Sequence, residues 1–254
     1  MHKQVIVTTS WDDGDPLDLR LAEMLRRRGL PGTFYVPIIG YLGRKTLKAP
    51  DLREVAAQGF EIGAHSYSHR SLRGLQDFEL KHEVRRCRCL LEDATARPVA
   101  MFCYPNGHYD AATLNAVRGY GYLGARTTRM LRTDAGENQF EIPITLQVFP
   151  HPQLSYVKNA IKGGNVSSLL LHSARLLSVK DWIELGTRTF DHVLRYGGVW
   201  HLYGHSWEIE DHRLWAGLNT LLDYVSHRDG VQYLNNNQVV QTFYPQPSAD
   251  PVAA

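Results

Sequence analysis

The chain has 254 residues, 43% of them hydrophobic, and its 28 Lys and Arg nearly balance 26 Asp and Glu. Both signs of charge are interspersed along it, which excludes the electrostatic footprint of a nucleic-acid binder or a polybasic membrane anchor. No apolar run approaches the roughly 20 residues of a membrane span, and the length suits one domain, such as a single α/β barrel.

The N-terminus "MHKQVIVTTSWDDG" enters a β-branched run at residues 4–10 with no cleavable apolar leader, so a cytoplasmic protein is expected. A helix follows, signalled by Asp15 as N-cap, Pro16 at its first position and Gly29 as its stop. "GTFYVP" (32–37) reads as the next strand, 50–58 as a helix closed by Gly59, and "GFEIGA" (59–64) as a strand. Leu80, Val84, Cys87 and Leu91 recur at helical spacing and predict a third helix ending before Pro98.

The alternation continues through "VAMFCYP" (99–105), a helix over 110–118, "YLGART" (122–127) and "FEIPITLQ" (140–147). After it come a helix over 180–195, "GVWHLYGHS" (198–206), a helix over 214–227 and "VQYL" (231–234). Strands alternating with helices imply parallel strands, doubly wound or closed into a barrel. Residues 150–179 break the rhythm and are expected to be an insertion or covering element on a domain spanning 1–244, with 245–254 as a flexible tail. Cys87, Cys89 and Cys103 are too few for a structural zinc cluster and are expected to be reduced thiols.

Four polar clusters follow expected strands: Asp12-Asp13-Gly14, "HSYSH" (65–69), "YPNGH" (104–108) and "HLYGHSWE" (201–208). In parallel α/β folds the C-terminal strand ends form the site face, so the four fall together. Adjacent Asp12 and Asp13 repel unless a cation or proton lies between them. His65 and His69, four apart, have the spacing to chelate one divalent ion with a carboxylate from elsewhere. Taken singly, each feature is also ordinary structure: Asp-Asp-Gly is common turn chemistry, and 12 His supply chance pairs.

Together, "SWDDG", "GAHSYSH", "YPNG" and "HLYGH" resemble the polysaccharide deacetylase family (NodB homology, carbohydrate esterase 4) over residues 5–234, most closely an uncharacterised bacterial subgroup. The resemblance implies a distorted (β/α) barrel of about seven parallel strands. It also implies a metal-dependent hydrolase that removes acetyl groups from N- or O-acetylated carbohydrate, and the lack of an export signal points to an acetylated sugar or glycan precursor as its expected partner. Carried onto this chain, Asp13, His65 and His69 hold one divalent metal ion. Zinc suits two His and a carboxylate, and cobalt, nickel or iron fit as well. Asp12 is the general base, His205 the general acid, and the N–H of Asn106, aligned by Pro105 and Gly107, faces the oxyanion. Tyr104, His108 and Trp207 are expected around the substrate, Trp207 either stacking on a sugar or walling the pocket.

Two departures stand out. Many members carry an Arg where this chain has Cys103, so the base needs another orienter. Arg126 is the candidate, with a surface or substrate-facing role as its alternative. The motif supplying a partner for His205 is also missing, leaving Glu208 or Asp134. His201 is expected to be a hydrogen-bonded packing residue. The rival functions are amide or cyclic-ureide hydrolysis on the same fold, and an inactive carbohydrate-binding relative.

Overall fold

A computed structural model describes residues 3–152, 155 and 181–245. Strand β1 (Val5–Asp12) is buried along its whole length, as expected for a parallel strand covered on both faces. It pairs with β2 (Thr33–Val36) on one side and β7 (Gly198–Gly204) on the other, and β3 (Glu61–Ala64), β4 (Met101–Cys103) and β5 (Gly124–Arg126) extend the sheet beyond β2. Beyond β7 lies β6 (Leu146–Gln147), giving the order β5-β4-β3-β2-β1-β7-β6, and the short β8 (Gln232–Tyr233) pairs with the start of β1.

Among the described residues every pairing is parallel, and the seven strands of that order, β8 lying off it, curl into a half-barrel, in agreement with the expected fold class. Residues 139–148 bridge its two edges: Ile142 bonds with Ala125 and Thr127 beside β5, whereas Thr145 and Val148 bond with His201 and Tyr203 of β7. The single strand expected over 140–147 is thereby reduced to an isolated bridge and β6. Pro143, which has no N–H to donate, lies between them.

The first helix, α1 (Asp18–Arg26), begins later than the Asp15-Pro16 signal implies. Asp15 instead closes a turn, its side chain accepting from Leu17 N (3.0 Å) and its carbonyl from Asp18 N (2.8 Å). Then come α2 (Ala49–Ala57), α3 (Asp77–Leu80), a π-helical turn (Lys81–Arg86) and α4 (Cys87–Thr95). The stripe Leu80, Val84, Cys87 and Leu91 is buried as its spacing requires. Next are α5 (Ala111–Gly119), α6 (Trp182–Tyr196) and α7 (Ser206–Asp211), then α8 (Trp215–Val225) and α9 (Asn236–Phe243).

On β1 the side chains alternate. Val5, Val7 and Trp11 join the main apolar core with residues of α1, α2, α6 and α8. The other face carries Thr8, Ser10 and Asp12, each with a distant partner. Asn236, at the start of α9, donates to Thr8 (2.9 Å) and accepts from the Tyr35 hydroxyl (2.8 Å). His201 bonds to Ser10 (2.8 Å) and to the Pro143 carbonyl (3.0 Å), which makes it a packing histidine. Cys87 and Cys103 are buried, Cys89 is exposed, and all three thiols are free. The element expected at 150–179 lies, apart from residues 150–152 and 155, outside the described residues, and so does the tail beyond Pro245. No helix among the described residues is long and apolar enough to cross a membrane.

Candidate metal and acid-base site

Asp12, His65, Arg126 and His205 all stand at the C-terminal ends of their strands, on β1, after β3, on β5 and after β7. Asp12 keeps its strand direction, but Asp13 has φ 75° and Gly14 φ 59°. A Cβ on Gly14 would lie 2.7 Å from Val36 Cγ1, so only glycine fits this reversal. The turn sends Asp12 onto Arg126 and Asp13 onto His69, while His65 Nε2 stands 3.7 Å from an oxygen of each carboxylate.

Asp13, His65 and His69 are buried, and their ligating atoms lie within 4.8 Å of one another. Asp13 Oδ1 is 3.1 Å from His69 Nε2 and 3.7 Å from His65 Nε2, and the two ring nitrogens are 3.1 Å apart. His65 Nδ1 lies 2.9 Å from the Cys103 carbonyl, an acceptor only, so Nδ1 carries the proton and Nε2 presents a lone pair. Burial pushes the His65 pKa down to about 4, which keeps the imidazole neutral. Burial also opposes the charge of Asp13, but His69, His205 and His65 around it hold its carboxyl well below the usual range. Asp13 Oδ1 is buried and makes no hydrogen bond. An ionised carboxylate oxygen without a donor, beside a neutral imidazole lone pair, fits a divalent cation.

The loop that delivers the histidines is held from outside. Ser66 and His69 both have positive φ (64° and 55°), and Ser68 between them donates through N (2.9 Å) and Oγ (2.6 Å) to the two oxygens of buried Glu83. Glu83 sits in the π-helical turn, a local widening that often accompanies functional sites.

Asp12 is clamped from the other side. Arg126, fully buried, donates to both of its oxygens and to Cys103 Sγ (2.8 Å), while the Cys103 thiol donates to Asp12 Oδ2 (3.5 Å). The guanidinium lies 4.5 Å from the Tyr203 ring centroid and 5.3 Å from that of Tyr35. Burial raises the cost of charge on Asp12, but Arg126 outweighs it together with His65 and His205, and the pKa is lowered. Arg126 is therefore neither on the surface nor facing substrate.

His205 precedes α7. Its Nδ1 is 3.1 Å from Glu208 Oε2 and its Nε2 is 4.0 Å from Asp13 Oδ2. Gln147 Nε2 donates to the same Glu208 oxygen (2.9 Å), and His151 Nε2 lies 2.8 Å from Gln147 Oε1. Desolvation opposes protonation of His205, yet Glu208, Asp13 and Asp12 raise its pKa above the ordinary imidazole value. Asp134, the other expected partner, pairs with Arg132 instead.

Tyr104 requires a correction. Its side chain is fully buried, stacked on Tyr109 at 4.4 Å, and its hydroxyl donates to the Phe140 carbonyl (3.0 Å), so it is a core residue and not a substrate contact. Pro105 and Asn106 form the expected turn after β4, with Asn106 at φ 56° and exposed. His108 is exposed beside it. The Trp207 indole N–H points inward, onto Asp13 Oδ2 (2.8 Å). Glu83 and Gln147 were not legible as site residues. A lone Glu in a helical pattern and a lone Gln in a β-like run carry no local signal.

Residues 1–125 match the family model described as polysaccharide deacetylase. The curated relative named "Putative polysaccharide deacetylase YxkH", from Bacillus subtilis (strain 168), is 28% identical over 129 residues, 50% of this chain and 45% of that protein. "Uncharacterized protein SCO4760" of Streptomyces coelicolor is 29% identical over 119 residues, 46% of this chain and 45% of that protein. The chain thus spans less than half the length of either curated relative. Among solved structures, a "putative polysaccharide deacetylase" of Mycobacterium smegmatis superposes with TM-score 0.67 at 20% identity, covering 94% of this chain and 90% of that one. BA3943 of Bacillus anthracis, described as a CE4 family pseudoenzyme, superposes with TM-score 0.56 at 14% identity, covering 93% and 66%. At these identities the likeness is one of fold.

Proposed function

Because the chain belongs to the polysaccharide deacetylase family, we propose that it is a metal-dependent deacetylase that hydrolyses the acetyl group of an N- or O-acetylated carbohydrate. The reading is carried by one juxtaposition: the cluster of Asp13, His65 and His69 lies between an Arg-held carboxylate and a Glu-held histidine.

Asp13, His65 and His69 would hold the cation, zinc being the expected one. Once bound, it supplies Lewis-acid polarisation of the acetyl carbonyl and a lowered pKa for water. Asp12, ionised and fixed by Arg126, accepts the proton of the attacking water. His205, whose protonated form Glu208 favours, gives its Nε2 proton to the departing amine or alcohol. The N–H of Asn106, in the turn after β4, is the donor assigned to the oxyanion.

Both carboxylates, both histidines of the cluster and the late histidine are present, which argues against an inactive relative. The test is acetate release from a panel of N- and O-acetylated sugars by zinc- or cobalt-loaded protein, run beside linear amides and cyclic ureides. Acetate from sugars supports the reading. Product only from ureides or amides moves the chain to the rival hydrolase, and sugar binding without any turnover makes it a binding protein.

A further inference from the structure

The sequence leaves Trp207 either stacking on a sugar or walling the pocket, and in the structure its polar atom is turned inward. Its Nε1–H donates to Asp13 Oδ2 at 2.8 Å, and the Arg44 guanidinium covers its ring at 4.6 Å. Arg44 is itself tied to Asp211 at the end of α7 (2.5 Å) and lies 3.8 Å from Asp15. Tyr41 packs between Trp207 (6.3 Å between ring centroids) and His69 (4.3 Å), and His205 lies 5.5 Å from the indole on its own chain segment. The indole is thus wedged by the loop after β2 and by the start of α7, with its N–H aimed at a carboxylate of the cluster.

The two oxygens of Asp13 are consequently unlike. Oδ2 accepts from Trp207, whereas Oδ1 is buried, lacks a hydrogen bond and faces His69 and His65. A carboxylate free at both oxygens can rotate or ligate through both. A fixed donor on one of them stops the rotation and leaves the other to ligate.

Building on the metal site proposed above, we infer that Trp207 is a positioning residue: its indole N–H fixes Asp13 so that Oδ1 alone is offered to the metal ion. The same short helix start then delivers both the acid, His205, and the group that sets the metal ligand. The apolar indole also shields the bond from water, where a lone exposed donor would compete with solvent.

The inference is tested by titrating cobalt(II) into metal-free protein and recording affinity and the visible absorption of the bound ion. Wild type is compared with Trp207→Phe and with a variant carrying benzothienylalanine at 207, which keeps the bicyclic shape and lacks only the N–H. Both variants should bind cobalt about 10- to 100-fold more weakly, with an altered absorption band. Equal affinity and an unchanged band in the benzothienyl variant would overturn the inference, whatever the folding of Trp207→Phe. If wild type itself binds neither cobalt nor zinc, the metal-dependent reading fails and takes this inference with it.

Discussion

Cys103 and Arg126 are register partners on the neighbouring strands β4 and β5, and the guanidinium of Arg126 donates to the Cys103 sulfur while also gripping Asp12. Many members of the family resembled here carry an arginine at the Cys103 position. This chain supplies the cation from one strand further along, at the same level of the sheet.

The positions should therefore be exchangeable. Arg126→Ala leaves Asp12 buried and unpaired, a change that typically costs about 3–5 kcal/mol. Adding Cys103→Arg to that variant should recover a substantial part of the loss, read as the urea midpoint. Unfolding midpoints no higher in the double variant would show that the two positions are not equivalent.

Asp12 and Asp13 should separate cleanly despite being adjacent. Asp12→Asn removes the proposed base and is expected to lower turnover by about 10²–10⁴-fold while metal content stays near one ion per chain. Asp13→Asn should abolish retained metal, as should His65→Ala with His69→Ala. Elemental analysis after identical dialysis checks both; metal loss in Asp12→Asn would reassign the ligands.

Glu208 raises the pKa of His205 by stabilising the imidazolium. An acid must be protonated to act, so removing that charge narrows the working range from the alkaline side. Glu208→Gln should shift the alkaline limb of the kcat/KM profile to lower pH and leave the acidic limb in place. An unmoved alkaline limb would remove Glu208 from the tuning of His205.

Away from the site, burial raises Glu61 to about 7, against an ordinary 4.5, although Thr33 and the Asn237 N–H bond to it. Between those values the folded protein holds a proton that the unfolded chain has lost. Stability contributed by this group is complete below about pH 4.5 and is lost as pH rises through about 7. Thermal melts across that window should show a decline that Glu61→Gln flattens; parallel slopes in the two proteins would contradict it.

Glu83 holds the loop that carries both histidines through Ser68. Glu83→Ala should leave the secondary structure intact and reduce the increase in Tm that added zinc produces, because the folded state then binds the metal less tightly. An undiminished increase would make Glu83 irrelevant to the cluster.

What could be read from the sequence followed from short-range regularity. Strand-helix alternation implies parallel strands, and parallel strands place their C-terminal ends on one face, which is where the structure brings Asp12, Asp13, His65 and His205 together. Local spacing also predicted the buried stripe of Leu80, Val84, Cys87 and Leu91. It misled where context overrode it: Pro143 split an expected strand, and Tyr104, beside a polar turn, proved to be core.

The sequence by itself thus determined which residue types meet and at which end of the sheet. Only the tertiary structure decided which of them touch. Arg126 lies 114 residues from Asp12, Gln147 lies 61 from Glu208, and Trp207 lies 194 from Asp13. No periodicity links such pairs, because a contact between distant segments depends on strand register and on which way the backbone turns. The positive φ of Asp13 is the sharpest case: one residue leaving the strand conformation sends two adjacent carboxylates to different partners.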